Sequence, residues 1–420
     1  MTRTNGSSSS RRAIVIGGSM SGLFAASLLR KAGWQTDLYE RSDVELRGRG
    51  AGIVTHPDLI QSLERSGAQL KDLGVTVHER VALDSLGNVI ERLPYEQIVT
   101  SWDRLHQIMR ATIPQSTHHL GYNLKAIEQD ADSITAIFEN GERVTGDLLV
   151  GADGFRSVVR NMFAPEIQPI YAGYVVWRGL ADEDVIPKEA HAAVFDKFAF
   201  FLPPRNKNIG YPIAGLDNDL RPGHRRWNWV WYRAVDRAGL DDMLVDEDGV
   251  YHAVSIPPPK VRADVIARLK EDAREFLPPP MRDILFCVAK PFFTPIYDLL
   301  VEKMVYGRVA LIGDAAAVAR PHVGMGIAKA GTDAEVLADS LASHPDLLEG
   351  LARFERERLP IAGKAVAQGR SLGEYMLNHA SPGNGADDAH WREFHSIPGI
   401  LKHTASSAFL RSAQELSNIT

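Results

Sequence analysis

The stretch AIVIGGSMSGLFAASLLRKAGWQTDLYERS, residues 13–42, contains the pattern that decides the fold. It begins with a short β-branched apolar run, Ala13–Ile16, which is typical of a strand buried on both faces of a parallel sheet. Apolar residues then recur at helical spacing from Ser21 to Ala32, and a second apolar strand ends at Glu40. This strand–turn–helix–strand unit of about 30 residues is the context in which a glycine-rich turn binds a dinucleotide.

The turn of this unit departs from the usual dinucleotide fingerprint at one position. Its candidate phosphate-binding residues are Gly17, Gly18, Ser19, Met20, Ser21 and Gly22. Gly17 permits the tight turn out of the strand, and Gly22 permits close packing of the helix on the sheet. Ser19 replaces the middle glycine, but it is small and its hydroxyl can donate to a phosphate at the helix N-terminus. The loop therefore still predicts a dinucleotide site.

Glu40 narrows the choice of nucleotide. It follows Gly22 by 18 positions, where a carboxylate accepts a hydrogen bond from the adenosine ribose hydroxyl. The same charge disfavours a 2′-phosphate, so NADP is a poor fit to this pocket. The stretch alone does not separate NAD from FAD, and a merely glycine-rich turn of an α/β protein remains the structural alternative.

The composition is that of an ordinary soluble globular protein. The 420 residues are 45% hydrophobic and 24% charged, and the net charge of −6, with no long basic run, disfavours nucleic acid or an anionic membrane as a partner. Cys287 is the only cysteine, so an internal disulfide is excluded and a reducing, cytoplasmic location is expected. No run reaches the ~20 apolar residues that span a bilayer, and no spacing of His, Asp or Glu suggests a metal site.

The chain alternates between two kinds of pattern. Strand–loop–helix patterns dominate early and return in RVALIGDAAAVARPHVGMGIAKAGTDAEVLADSL, residues 308–341, whereas the chain between about Tyr171 and Asp298 is rich in aromatic residues and has antiparallel strand patterns. We predict an α/β protein in which a Rossmann-like nucleotide domain of three discontinuous segments carries an inserted, mainly antiparallel β-sheet substrate domain. The predicted bounds are 12–75, 101–170 and 299–365 for the first domain, 76–100 and 171–298 for the second, 366–420 for a helical and loop extension, and 1–11 for a disordered tail.

Two further motifs complete the predicted nucleotide domain. In LLVGADGFRSVVR, residues 148–160, a buried strand delivers Asp153 and Gly154 to its end, although an aspartate that only caps a helix is the alternative. In GRVALIGDAAAVARPHVGMGIAKAGTDA, residues 307–334, a strand ends at Asp314, which can hydrogen-bond a polyol chain, and a glycine-rich loop opens another helix. Two helix N-termini in one site suit a long ligand with pyrophosphate at one end and an electron-rich ring at the other.

Taken together, these motifs resemble the single-component flavoprotein aromatic hydroxylases, the p-hydroxybenzoate-hydroxylase-like family, over nearly the whole chain. The stretches that carry the resemblance are GGSMSGL (17–23), GIVTHPDL (52–59), YAGYVVWRG (171–179) and ARPHVGMGIAKA (319–330). The last three are most similar to members that hydroxylate hydroxypyridines. The resemblance implies FAD as the cofactor, NADH or NADPH as the electron donor and O2 as the co-substrate.

The resemblance also implies which residues hold FAD. Besides the first loop, they are Glu40, Arg41, Arg49, Gly52, Arg104, Asp153, Gly154, Asp314, Gly324, Met325, Gly326 and Ile327. Asp314 is implied at the ribityl chain or the pyrophosphate, and residues 324–327 at the isoalloxazine. Trp102 stands where the family often has an arginine, which leaves Arg104 as the alternative contact, and Ala317 replaces a common histidine.

The implied reaction sets the demands on the rest of the site. NAD(P)H reduces the flavin, which reacts with O2 to give a C4a-hydroperoxide that attacks an electron-rich ring, so the site must exclude water, orient the ring and help remove a phenolic proton. His322, Tyr211 and Pro321 are the catalytic candidates; the alternatives are a histidine that caps its loop and a plain core tyrosine.

Aromatic residues on the predicted strands are candidates to line the ring. They are Tyr174, Trp177 and Trp229, although aromatic strand faces are usually core. Arg178, if buried, needs a partner and could hold an anionic substituent of the ring.

We therefore expect an FAD-dependent monooxygenase acting on a hydroxylated aromatic or N-heteroaromatic ring, with a hydroxypyridine favoured. The alternatives are a phenolic hydroxylase of the same family, a flavin-dependent C=C reductase and a non-catalytic flavin-binding sensor. The expected partner is the small aromatic substrate, and a homodimer is left open.

Overall fold

The computed structural model describes residues 10–46, 52–377 and 393–406. Arg49 and most of the tail predicted to be disordered lie outside these ranges. The strands are β1 (Arg12–Ile16), β2 (Gln35–Glu40), β3 (Gly52–Val54), β4 (Val75–Leu83), β5 (Val89–Ser101), β6 (His118–Leu120), β7 (Leu124–Gln129), β8 (Ile134–Phe138), β9 (Arg143–Gly146), β10 (Leu148–Gly151), β11 (Ile170–Asp182), β12 (Phe198–Phe201), β13 (Asn206–Ile213), β14 (Arg226–Ala234), β15 (Phe292–Leu300), β16 (Val305–Tyr306), β17 (Val309–Leu311) and β18 (Ala317–Val318).

The α-helices lie mostly beside the first and last groups of strands. They are α1 (Met20–Lys31), α2 (Pro57–Ser66), α3 (Trp102–Arg110), α4 (Val158–Phe163), α5 (Lys188–Val194), α6 (Arg237–Met243), α7 (Ala263–Phe276), α8 (Pro279–Cys287), α9 (Gly326–Ser343), α10 (Leu347–Leu377) and α11 (Ile397–His403). Among the described helices, none combines the length and the apolar character needed to cross a bilayer.

A parallel sheet contains the first stretch of the sequence. In the described ranges its six strands lie in the order β16-β17-β10-β1-β2-β6, and all neighbours are parallel except β16 and β17. The strands come from all three predicted segments of the nucleotide domain. The β-branched run of β1 is fully buried in the core, as expected for a central parallel strand. The predicted Rossmann-like α/β fold is therefore confirmed.

The inserted chain forms most of a second, larger sheet. Among the described strands the order is β18-β15-β11-β14-β13-β12-β4-β5-β3, antiparallel at every step except between β12 and β4. This confirms a mainly antiparallel second domain. Because β3 and β18 also join this sheet, the two halves of the molecule share strands at their border. The predicted bounds stay a prediction; the border at residue 365 falls inside α10 (Leu347–Leu377) and the border at residue 298 inside β15 (Phe292–Leu300).

The large sheet has two chemically different faces, and their separation decides which aromatic residues can reach a ligand. Side chains alternate along β14, so Trp227, Trp229 and Trp231 lie on one face, packed against α7 and α8 in an apolar core. Val230 and Tyr232 lie on the opposite face. Trp177 of β11 shares the tryptophan face and packs on Phe293 with ring centroids 5.2 Å apart.

Replacement of Trp229 by phenylalanine should affect stability rather than ligand binding. Trp229 is fully buried, and its Nε1–H donates to the carbonyl oxygen of Met281 at 3.0 Å. Phenylalanine leaves that carbonyl without its donor, so we expect a loss of about 1–3 kcal/mol in the free energy of unfolding, measured by urea titration. A variant with unchanged stability but weakened ligand binding would show instead that Trp229 contacts the substrate ring.

Candidate active site

The glycine-rich loop joins β1 to α1 by a close approach of backbones. Gly17 has φ of 109°, and a Cβ atom there would lie 2.5 Å from the carbonyl oxygen of Ala152 in the next strand connection. A Cβ at Gly22 would lie 1.8 Å from the carbonyl oxygen of Gly17, so only glycine allows α1 to start this close to the strand. The N-terminus of α1 has no side-chain cap. Its first N–H groups are therefore available to a ligand.

Glu40 at the end of β2 is held by this loop. The Gly18 N–H donates to Glu40 Oε2 at 2.7 Å, and the Ser42 N–H donates to Glu40 Oε1 at 2.9 Å. A carboxylate oxygen has the capacity to accept more than one hydrogen bond, so both oxygens of Glu40 can still accept from ribose hydroxyl groups. The side chain of His106 closes the other side of the loop, with Nε2 3.4 Å from the Gly18 carbonyl oxygen.

Asp153 performs the structural role that the sequence left open. Its carboxylate accepts from the N–H groups of Val158 and Val159 at 2.7 and 3.1 Å and so caps α4. Burial raises the pKa of this carboxyl, although the hydrogen bond from Ser157 opposes the shift. The side chain nevertheless lines the cavity described below, as does Gly154.

A buried ionic network fixes the turn that carries Asp314. Asp333 Oδ2 accepts from the Gly313 N–H at 3.0 Å, while Lys329 Nζ donates to the Gly313 carbonyl oxygen at 2.9 Å. Arg358 completes the network by an ion pair of 2.8 Å with Asp333. Among the described residues, the carboxylate of Asp314 itself has no hydrogen-bond partner. It is an acceptor positioned for a ligand.

Two cavities meet at Asp314. The nucleotide cavity, about 560 Å³, is lined by Ile16, Gly17, Ser19, Met20, Ser21, Tyr39, Glu40, Arg41, Leu46, Ile53, Trp102, Tyr122, Asn123, Leu124, Glu139, Ala152, Asp153, Gly154, Arg156, Val158, Asp314, Gly326, Ile327 and Ala330. The ring cavity, about 230 Å³, is lined by Gly52, Ile53, Val54, Leu59, Arg178, Phe198, Lys207, Ile209, Tyr211, Val230, Tyr232, Asp314, Val318, Ala319, Pro321, His322, Val323, Gly324, Met325, Gly326, Ile327, Ala328, Thr404 and Ala405. Ile53, Asp314 and residues 326–327 belong to both walls, so one extended ligand can occupy both spaces.

His322 is the buried titratable group of the ring cavity that sequence reasoning had selected. Its Nε2 lies 2.9 Å from Tyr174 Oη, and its ring lies 4.6 Å from that of Tyr232. Its Nδ1 is buried and, in the described part of the chain, has no hydrogen-bond partner. Burial, followed by the charge of Lys207, lowers the pKa of His322 well below its usual value. The imidazole is therefore neutral at pH 7, so one of its two ring nitrogens is free to accept a hydrogen bond.

Two buried cations near this cavity were missed by sequence reasoning. Lys207 on β13 is 5% exposed and donates from Nζ to Thr404 Oγ1 at 2.8 Å. Arg80 on β4 is fully buried and holds the carbonyl oxygens of Leu401 and Thr404 at 2.6 and 2.7 Å. The signal that was missed is the alternation of side chains along a strand. Lys207 is two residues from Ile209, so both side chains lie on the same face of β13, and Ile209 belongs to the apolar core.

The C-terminal segment that these cations hold is a wall of the ring cavity. Thr404 and Ala405 line it directly, and the Ala405 N–H donates to the His322 carbonyl oxygen at 3.2 Å. A Cβ at Gly324 would lie 2.6 Å from Ala405 Cβ, so the glycine loop is tightly packed against this segment. Nothing in the local sequence indicated this long-range contact.

The structure brings most predicted site residues together but not all. Tyr211 and Pro321 line the ring cavity, and Tyr174 contacts it through His322. Trp177 and Trp229 are a correction: they lie on the opposite face of the large sheet, because alternate side chains of a strand point to opposite sides.

Arg104 is the second correction. It lies in the first turn of α3 with its guanidinium pointing outward, where Nη2 donates to the Lys71 carbonyl oxygen at 2.6 Å and Nη1 to Gln107 at 2.9 Å. It lines a separate surface depression with Asp219, not the nucleotide cavity. Trp102 occupies the cavity wall instead and stacks on His106 with ring centroids 4.8 Å apart.

Replacement of Arg104 by alanine should leave the cofactor in place. Because the hydrogen bonds of its guanidinium to described residues go to Gln107 of α3 and to Lys71 in the connection between α2 and β4, we expect an unchanged ratio of FAD to protein after gel filtration. A variant that emerges colourless would show that Arg104 turns toward the nucleotide cavity when the ligand is bound.

A nucleotide cavity between two helix N-termini that no described side chain caps, continuous with a ring cavity under a second sheet, defines a flavoprotein oxidoreductase. Asp314 lies in both walls, its carboxylate has no hydrogen-bond partner among the described residues, and it fits the polyol chain of FAD. The comparisons agree: residues 11–169 and 293–369 match the FAD binding domain family, and residues 171–298 match the FAD binding domain-like family.

Similar proteins include 2,6-dihydroxypyridine 3-monooxygenase of Paenarthrobacter nicotinovorans, 33% identical over 89% of this chain and 94% of the relative. The solved structure of 2,6-dihydroxypyridine-3-hydroxylase from Arthrobacter nicotinovorans has a TM-score of 0.83 at 32% identity and covers 90% of this chain and 96% of that one. The FAD-dependent urate hydroxylase of Klebsiella pneumoniae is 27% identical over 83% of this chain and 85% of its own length. The chain therefore belongs to the FAD-binding domain family of flavoprotein monooxygenases, and the expected fold, family and FAD cofactor are confirmed.

Proposed function

We propose that the protein uses NAD(P)H and O2 to hydroxylate a hydroxylated N-heteroaromatic ring, with a dihydroxypyridine as the favoured substrate. The observation that carries the proposal is the ring cavity of about 230 Å³, which adjoins the nucleotide cavity and contains neutral His322 beside Lys207. The similarity to a 2,6-dihydroxypyridine 3-monooxygenase over most of both chains supports the choice of ring.

The proposed reaction converts ring C–H, O2, NAD(P)H and a proton into ring C–OH, water and NAD(P)+. When bound, reduced FAD supplies the electrons that activate O2. Glu40 and the loop at the start of α1 would hold its adenosine and pyrophosphate, Asp314 its polyol chain, and the loop before α9 its ring. These assignments are proposals that rest on cavity lining and on unpaired donors and acceptors.

The protein's own side chains would orient and deprotonate the substrate. With hydrogen on Nε2, His322 donates to Tyr174 Oη and keeps Nδ1 as an acceptor for the proton of a ring hydroxyl. Loss of that proton makes the ring more electron-rich, which favours attack by an electrophilic oxygen. Tyr211 and Pro321 would bound the ring, and the segment through Thr404 would exclude water.

The test is a turnover assay with the FAD-loaded protein and a panel of hydroxypyridines and phenols. We expect 2,6-dihydroxypyridine to stimulate NAD(P)H oxidation and to yield a product heavier by one oxygen atom, labelled when 18O2 is supplied. Stimulation only by phenols would favour a phenolic hydroxylase. Saturation of a C=C bond without oxygen incorporation would favour a reductase, and a flavin that no ring stimulates would favour a sensor.

A further inference from the structure

Lys207 is a cation in the ring cavity that lacks an acidic partner. Within the described residues no carboxylate lies within 4.0 Å of Nζ, and its one hydrogen-bond acceptor is the neutral hydroxyl of Thr404. Its charged neighbour is Arg80, whose guanidinium has no carboxylate partner among the described residues either. Burial of an unpaired charge is unfavourable unless a partner arrives or the group loses its proton. The site is therefore incomplete without an anion.

Arg178 supplies a second cation on the same floor. It lines the ring cavity and, among the described contacts, has no hydrogen bond or ion pair. In the strand register Arg178 of β11 is paired with Val230 of β14, and Val230 is paired with Ile209 of β13. Lys207 precedes Ile209 by two residues on β13. From the strand spacing, the two Cα atoms are about 12 Å apart. Two apolar side chains thus form a floor with a cation toward each end.

The described wall of the ring cavity also contains one acidic residue. Asp314 is the only acidic residue among the described lining residues, and it lies at the border with the nucleotide cavity. Nearby charges that influence its pKa are those of Lys329 and Asp333, not that of Lys207. Among the described lining residues, the other charged side chains are the cations Lys207 and Arg178, and neutral His322 lies near Lys207.

We propose that Lys207 forms an oxyanion-binding subsite at one end of this floor, so that the ring cavity selects planar aromatic rings bearing an oxyanion, while Arg178 adds a second positive charge at the other end. Lys207 Nζ donates to that oxygen while Ile209 and Val230 contact the ring. This deepens the proposed function and rests on it only for the statement that the bound ring is also hydroxylated. Lys207 is thereby a specificity-determining residue.

The state of Lys207 agrees with this role. Burial and the charge of Arg80 lower its pKa to about 7, so the free site holds a readily lost proton. A bound oxyanion restores the charged form, since an opposite charge within hydrogen-bond reach favours it. The ammonium–oxyanion pair forms where water is excluded, which makes it stronger than the same pair at the surface.

The experiment is a titration of the FAD-loaded protein, without reductant, followed by the flavin absorbance difference spectrum. The probes are 2,6-dihydroxypyridine and benzoate, each compared with a neutral analogue of similar shape, 2,6-difluoropyridine and benzamide. The wild type should bind at least one oxygen-bearing probe roughly 10–100-fold more tightly than its neutral analogue. A preference confined to the first pair identifies a ring oxide as the bound group, and one confined to the second identifies a carboxylate.

Two variants separate anion binding from a structural role. Lys207→Met should abolish the preference while FAD stays bound, because methionine keeps the bulk without the charge. Thr404→Val removes the hydrogen bond to Nζ but leaves the ammonium, so it should keep the preference. Exposed Lys290→Met is the matched control and should bind like the wild type.

Three results would overturn the inference: no preference in the wild type, an undiminished preference in Lys207→Met, or equal losses in Lys207→Met and Thr404→Val, which would assign Lys207 to anchoring the C-terminal segment. Failure of the proposed function is seen separately. A wild type that prefers oxyanions yet inserts oxygen into no ring of the panel retains this subsite and loses the hydroxylase assignment.

Discussion

Replacement of His322 by leucine is expected to lower the rate of oxygen insertion by about 10²–10⁴-fold, the usual range for loss of a positioned general base. Leucine fills much of the same space but cannot accept a proton or pair with Tyr174 Oη. The measurements are the rate of product formation and the amount of product formed per NAD(P)H oxidised, with the FAD content determined on the same sample. We expect the cofactor to stay bound, because His322 lies in the ring cavity only.

Tyr174→Phe is the matched control for this prediction. It removes the hydroxyl that faces His322 Nε2 and leaves both rings in place, whose centroids are 5.5 Å apart. If His322 acts as the base, this variant should lose less activity than His322→Leu. Equal product yields from wild type and His322→Leu would instead assign the histidine to loop structure, since its backbone carbonyl also holds Ala405.

Asp314→Ala is expected to weaken FAD binding by roughly 10–100-fold, which corresponds to the loss of a hydrogen bond to a charged group. The carboxylate has no partner among the described residues, so the substitution breaks no internal contact and acts on the ligand. Burial raises the pKa of this carboxyl and Lys329 opposes the shift. The measurement is the dissociation constant of FAD from quenching of flavin fluorescence.

The control for Asp314 is Asp339→Ala on α9. Asp339 is exposed, and its carboxylate pairs with Arg65 on α2 and with no other described residue, so its loss should leave FAD affinity unchanged. An Asp314→Ala variant that binds FAD as tightly as the wild type would contradict the placement of the polyol chain.

The fold was predictable because its signals are local. The buried run of β1, the glycines that permit the turn into α1, and the strand ends before Asp153 and Asp314 each show in a few neighbouring residues. The same holds for the helix opened by Pro57. These features required no knowledge of distant contacts.

The candidate site was predictable only in part, since it depends on which face of a sheet meets which partner. The alternation in β14 shows that Trp229 and Val230 point to opposite sides, but not which side faces the cofactor. Lys207 resembles a solvent-facing lysine until its strand is placed between β12 and β14. Arg80 and Thr404 meet across a separation of 324 positions, which no local pattern reveals.

One wall of the ring cavity comes from the far end of the chain. Thr404 and Ala405 are held there by Arg80, Lys207 and the backbone of His322. A stop codon placed before residue 393 would therefore remove this wall and open the ring cavity to solvent. In the proposed reaction, electrons from NAD(P)H would then pass to O2 and form hydrogen peroxide without hydroxylating the ring.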